Sequence, residues 1–209
     1  MNKQSIVIDR EYGSGGREVA RILSERLGIE FYDGNLLAMA GREYGIDLGT
    51  LRVYDERGVG SVLHDFALIG SYGSGGRINE EPFQVFSALS RLVQQLVAKG
   101  PCIFLGRCTA HILSTEAHVP FVNAFIYASR MQDRVDRARD VDGVESSRIE
   151  AYIKRQDSQR KNYNKFFTDK VWGDPKNYDM MLHTSQLGYE GAAEAILAVL
   201  RQREAAGEA

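Results

Sequence analysis

The chain has 209 residues, 44% of them apolar, with 26 Lys and Arg against 28 Asp and Glu for a net charge of -2. That balance fits one domain with a buried core, and it argues against a disordered chain or one drawn as a whole to nucleic acid or an anionic membrane. Cys102 and Cys108 match neither redox nor zinc spacing, and no apolar run forms a secretory leader or approaches the roughly 20 residues that span a bilayer, so a cytoplasmic protein with free thiols is expected.

Ser5 to Asp9 (SIVID) reads as a β-branched strand that stops at a charge, and a glycine-rich turn follows directly. From Arg17, the residues Val19, Ala20, Ile22, Leu23 and Leu27 recur at helical spacing, and Gly28 closes the pattern as a C-terminal cap. A second strand is predicted at Ile29 to Asp33. Residues Gly34 to Pro82, with scattered glycines, read as an irregular insertion holding short helical pieces at best. An amphipathic helix follows from Phe83 to Ala98, then a third strand (CIFLG, Cys102 to Gly106), a short helix around Ala110 to Leu113, and a fourth strand (FVNAFIYA, Phe121 to Ala128). Ser129 is expected to cap an arginine-rich helix, a polar helix runs from about Ser147 to Tyr163, and the strand YDMML precedes a last helix from Tyr189 to about Arg203. Strands apolar on both faces that alternate with helices predict an α/β sandwich on a parallel sheet.

The hexapeptide YGSGGR occurs twice, at Tyr12–Arg17 and Tyr72–Arg77. Binding a phosphate through backbone amides requires the loop to open a helix, so that its first N–H groups and dipole face the anion. Only the first copy lies between a strand and a helix, the order of a P-loop. The second falls inside the insertion and reads as a surface loop, from which Arg77 could reach a phosphate if the loop closed over a substrate.

The string IVIDREYGSGGREVARILSERLGIEFYDGNLL resembles the cytidylate kinase-like family of P-loop proteins. Three further segments agree in the same order: GPCIFLGRCTAHIL, DSQRKNYNKFFTDKVWGDPKNYD and TSQLGYEGAAEAIL. The resemblance implies a nucleoside monophosphate kinase fold: a three-layer α/β sandwich with a five-stranded parallel sheet. It further implies a core at about 1–33, 83–129 and 176–204, a substrate-binding insertion at about 34–82, and an arginine-bearing lid at about 130–175. Six Lys and Arg between Arg148 and Lys165 face only Glu150 and Asp157, a local basic excess suited to phosphates.

The loop departs from GxxxxGK[ST]. With the last invariant glycine set on Gly15, Arg10 stands at the first glycine, Gly16 at the lysine and Arg17 at the hydroxyl residue. The charge that a lysine lends to the β- and γ-phosphates then has to come from Arg17 or Arg10, as a planar fork instead of a point charge. Candidate magnesium ligands are Asp33 at a strand end, Glu18 and Asp9; Asp33 reads equally as a turn residue before Gly34.

The resemblance implies ATP and Mg2+ as cofactors and small nucleotides as substrates, with no nucleic-acid or membrane partner. It places Tyr12, Gly13, Ser14, Gly15, Gly16, Arg17 and Glu18 on the donor, and Arg107, Asp33 and Lys161 on the acceptor. Arg17, Arg107, Arg134, Arg137 and Arg160 are the candidate catalytic residues, because phosphoryl transfer rests largely on positioning and charge stabilisation. Arg134 and Arg137 share a helix face as lid arginines or as solvated charge. Asp157, three residues before Arg160, is read as orienting it. The expected reaction moves the γ-phosphoryl of ATP to CMP. The insertion is least like a cytidylate kinase, however, and Cys108 stands where an Asp is expected after Arg107, which leaves open another small acceptor or a nucleotide-binding pseudoenzyme. His64, His111, His118 and His183 show no metal spacing, and Tyr163, Phe166 and Trp172 read as packing residues.

Overall fold

A parallel sheet with helices on both faces follows from the alternating pattern, and the structure has it. In a computed structural model, which describes residues 4–47, 50–51, 81–145 and 147–207, the strands are β1 (Ser5–Arg10), β2 (Phe31–Tyr32), β3 (Ile103–Leu105), β4 (Phe121–Tyr127) and β5 (Met180–His183). They form one five-stranded sheet in the order β2-β3-β1-β4-β5, and every neighbouring pair is parallel. The second YGSGGR copy, His64 and most of the insertion lie outside the described residues.

β1 is central because it is apolar on both faces. Ile6 and Ile8 point into one cluster, with Val19 and Leu23 of α1 (Gly16–Leu27) and Ala192, Ile196 and Leu200 of the last helix. Val7 points the other way, into a cluster with Phe104, Leu36 and Leu37 of α2 (Leu36–Tyr44), and Leu89, Leu92 and Val93 of α3 (Glu81–Lys99). The period of two along the strand therefore builds a helix layer on each face of the sheet.

α4 (Thr109–Ile112) continues as a π-helical turn, Leu113–Ala117. Next come α5 (Met131–Asp140), α6 (Ile149–Thr168), a 3-10 turn at Pro175–Asn177 and α7 (Thr184–Ala205). Gly28 caps α1 at φ 66, with its N–H on the carbonyl of Ser24, as the pattern predicts.

One expectation is sharpened and two change. The opening of the insertion is a regular nine-residue helix, α2, because Leu36, Leu37 and Ala40 have a buried face to fill. Ser129 does not cap α5: Arg130 takes the N-cap position without a side-chain bond, while Ser129 meets His183 Nε2 at 3.1 Å. α7 starts five residues before Tyr189, at Thr184, and Gly188 (φ 67, ψ 178) kinks it there. Trp172 packs edge-on against Phe125 at 5.1 Å, and Tyr163 is buried against Cys108 and Phe167.

Leu89 is fully buried between α3 and the sheet, whereas Phe83 at the head of the same helix is 51% exposed. Leu89→Ala should lower unfolding free energy by about 2–5 kcal/mol in urea titration and Phe83→Ala by about 1 kcal/mol or less.

Candidate functional site

At the end of β1 the backbone turns through Glu11–Gly15 and enters α1 at Gly16. The turn is possible because Gly13 and Gly15 take φ 75 and φ 82, left-handed values that side chains disfavour. A Cβ on Gly13 would stand 2.6 Å from the carbonyl oxygen of Arg134, and one on Gly15 would stand 2.1 Å from the ring of Tyr189. The loop is thus seated between α5 and α7. The first amides of α1 have no carbonyl one turn earlier to bond, and they carry the positive end of the helix dipole. Ser14 does not add its hydroxyl to the site: it is buried and donates to the carbonyls of Glu11 (2.9 Å) and Ile126 (3.0 Å).

Two side chains from the α5–α6 pair hold the loop at a single residue. Asp157 Oδ1 accepts the N–H of Tyr12 at 2.7 Å, while Arg134 Nε donates to the carbonyl of Tyr12 at 2.7 Å. Arg134 Nη2 closes the ring on Asp157 Oδ2, and Nη1 lies 3.5 Å from Glu11 Oε2. The Arg134 side chain is 7% exposed, so it faces the protein instead of a ligand. Among the described residues, Asp157 bonds the N–H of Tyr12 and Arg134. Burial raises the pKa of Glu11 above its ordinary value, against the opposing pull of Arg134. The Tyr12 ring packs edge-on to Tyr152 at 5.4 Å, with the guanidinium of Arg160 above it at 5.6 Å. Burial, then Asp142 and Tyr152, push the Tyr12 phenol up.

Above the loop is a cavity of about 770 Å³, lined among the described residues by five arginines (Arg10, Arg17, Arg107, Arg137, Arg160) and three carboxylate residues (Glu11, Asp33, Asp142). Each arginine arrives on a different support. Arg107 follows β3 in a left-handed conformation, φ 58, is 5% exposed, and donates to the carbonyl of Gly34 at 3.3 Å. Arg137 stacks on Tyr189 at 5.2 Å and reaches its hydroxyl at 3.3 Å. Arg160 donates to the carbonyl of Arg10 at 3.0 Å. Arg17 is 72% exposed and pairs with Asp33 at 2.7 Å.

Of the residues expected in the site, Tyr12, Gly13, Gly15, Gly16, Arg17, Asp33, Arg107, Arg137 and Arg160 line this cavity, and Ser14, Glu18, Arg134 and Lys161 do not. Glu18 is turned to Arg21, whose hydrogen bond lowers its pKa; Lys161 is exposed on α6. Sequence reasoning missed Tyr189, Tyr152, Asp142 and Gln156. An aromatic residue directly after Gly188, at a break in a helical pattern, was the available signal for Tyr189.

A protein-held magnesium ion fits these residues poorly. Asp33 is paired with Arg17, Glu11 accepts the N–H of Ala128 at 3.2 Å and faces Arg134, and Asp9 accepts from the Tyr178 hydroxyl at 3.1 Å. The described residues contain no group of three His, Cys, Asp or Glu able to hold a metal. A set of arginines around a helix N-terminus suits a polyanion instead.

The family model described as cytidylate kinase-like matches residues 5–186. Among solved structures, an uncharacterized protein from Eubacterium ventriosum superposes with a TM-score of 0.70 at 21% identity, over 96% of this chain and 99% of the other. Shikimate kinase from Acinetobacter baumannii, in complex with shikimate, gives 0.52 at 13% identity, over 97% and 96% of the two chains. A gluconokinase from Sinorhizobium meliloti gives 0.53 at 13% identity, over 96% and 93%. At these identities the likeness is one of fold. No curated protein matches the chain.

The hold on Tyr12 has a measurable consequence. Asp157→Ala removes the nearer of the two carboxylates that face the buried Arg134 charge, and also the acceptor of the Tyr12 N–H, and should cost about 3 kcal/mol in urea unfolding. The double variant Arg134→Met/Asp157→Leu, which removes both charges, should lose less than Asp157→Ala alone.

Proposed function

The chain belongs to the cytidylate kinase-like family, and from that premise we propose that it is an ATP-dependent phosphotransferase of the nucleoside monophosphate kinase type, with CMP as the first acceptor to test. The observation that carries this reading is the convergence of five arginines from separate elements on one cavity at the N-terminus of α1. The amides of Gly15, Gly16 and Arg17 are assigned to the donor phosphates. Arg107, fixed beside Gly34, is assigned to the anionic group of the acceptor, with Arg137 and Arg160 on the transferring group. In this reading residues 34–82 bind the acceptor and 130–175 act as a lid that excludes water, the competing acceptor.

The chemistry asks little else of the protein. An acceptor phosphate oxygen attacks the γ-phosphorus, the bond to the bridging oxygen breaks, and ADP leaves with that electron pair. A phosphate acceptor is already ionised, so no general base is needed. Arg17 can reach the donor because its side chain is 72% exposed, and a guanidinium fork on phosphate is a strong, bidentate contact that can replace its pairing with Asp33. When Arg17 moves to the donor, Asp33 is released toward the acceptor or its counter-ion. Arg134 acts here through Tyr12, as a positioning residue, and no role is given to Lys161 or Glu18.

The test is ADP release with ATP, magnesium and a panel of nucleoside monophosphates, coupled to a spectrophotometric readout. Turnover should depend on one acceptor. Arg107→Ala should cut kcat/KM for that acceptor by about 10²–10³ with KM for ATP little changed, and Arg17→Ala should raise KM for ATP by about tenfold. ATP binding without transfer to any acceptor would make the chain a nucleotide-binding protein that does no chemistry.

A further inference from the structure

The aligned glycine loop carries two departures, a cation where the first glycine belongs and a glycine where the lysine belongs, and the structure joins them. A Cβ placed on Gly16 would stand 2.7 Å from Cβ of Arg10, closer than real Cβ atoms come, and 3.0 Å from its Cγ, tighter than nine in ten such contacts. The Arg10 stem therefore runs across the Cα of Gly16, in the space where a lysine side chain at position 16 would begin. Arg10 lines the cavity together with Gly15, Gly16 and Arg17. Its backbone is fixed twice: Arg10 is in register with Ile126 of β4, and its carbonyl accepts from Arg160.

We infer that Arg10 is the residue that contacts the β- and γ-phosphates of the donor, replacing the missing P-loop lysine from the end of β1, and that Gly16 is glycine because the Arg10 stem crosses it. The inference rests on the reading of the cavity as a polyphosphate site. It separates the two candidate charges by what carries them: the Arg10 stem runs from a strand end across the loop, whereas Arg17 rides on α1 with its side chain 72% exposed. A guanidinium supported on the sheet meets the phosphates with less ordering cost than one drawn from solvent.

The experiment is isothermal titration of ADP and AMP into the full chain and into Arg10→Met, Gly16→Lys and the double variant Arg10→Gly/Gly16→Lys, each with its thermal melt recorded. Arg10→Met keeps an unbranched stem over Gly16 and removes the charge. Its melt should match the wild type, while its preference for ADP over AMP falls about tenfold, the loss of one charge-assisted contact to the β-phosphate. Gly16→Lys alone should melt lower and bind ADP weakly, since its stem meets that of Arg10. The double variant restores the glycine and lysine positions and should regain ADP affinity to within about threefold of the wild type. An unchanged ADP preference in Arg10→Met, or a double variant no better than Gly16→Lys, overturns the inference and leaves the functional reading standing. Wild-type protein that binds no ADP overturns both.

Discussion

The shape of the glycine loop depends on one peptide unit being held from both sides. Asp157 takes the N–H of Tyr12 and Arg134 its carbonyl, and the two side chains pair with each other. A buried ion pair seldom adds stability once desolvation is counted, and it is tolerated where extra hydrogen bonds complete its demands. Here the extra bonds are to the loop itself, so the pair is best understood as specifying a conformation. With Tyr12 fixed, Gly13 can be pressed against the backbone of Arg134, and the ring of Tyr12 becomes a floor for Arg160. The α5–α6 pair and the glycine loop are thereby one mechanical unit.

That unit helps a chain with net charge -2 gather arginines around one cavity. Arginine repulsion is relieved locally at each support, by the carbonyl of Gly34 for Arg107, the Tyr189 ring for Arg137 and the Asp33 carboxylate for Arg17. Two of these contacts are to neutral groups, and the third is an ion pair whose arginine is 72% exposed. Arg134 shows the opposite arrangement, with its donors committed to Tyr12, Asp157 and Glu11.

Much of this was legible in the sequence because it rests on local rules. Strand–glycine–helix order, the β-branched SIVID and the cap at Gly28 placed β1, the loop and α1 without knowledge of the rest. Arg107, directly after a strand, was singled out through the family resemblance. What was not legible depends on partners distant in sequence. Arg134 and Arg137 are equivalent as a pair three apart on a helix, yet one is buried under the loop and the other stacks on Tyr189, a residue 52 positions further on. Asp157 looked like a neighbour of Arg160, but its amide partner is 145 residues away. The regularity of α2 was hidden by the glycines around it, since its reason to be helical is a buried face against α3, not propensity.

The departures from the usual loop pattern also make physical sense only in three dimensions. Read along the chain, an arginine for a glycine and a glycine for a lysine are two separate losses. In space they are one substitution, because the Arg10 stem and a side chain at position 16 compete for the same volume beside the first turn of α1. Moving the cation from the helix to the end of β1 changes what anchors it: a lysine at position 16 would ride on α1, whereas Arg10 hangs from a strand flanked on both sides by others. Its carbonyl is also bound by Arg160, so the guanidinium that rests on the Tyr12 ring also fixes the backbone from which the charge is presented. A loop built this way draws its charge from the sheet and its shape from α5 and α6, and the two inputs meet at Arg10 to Gly13.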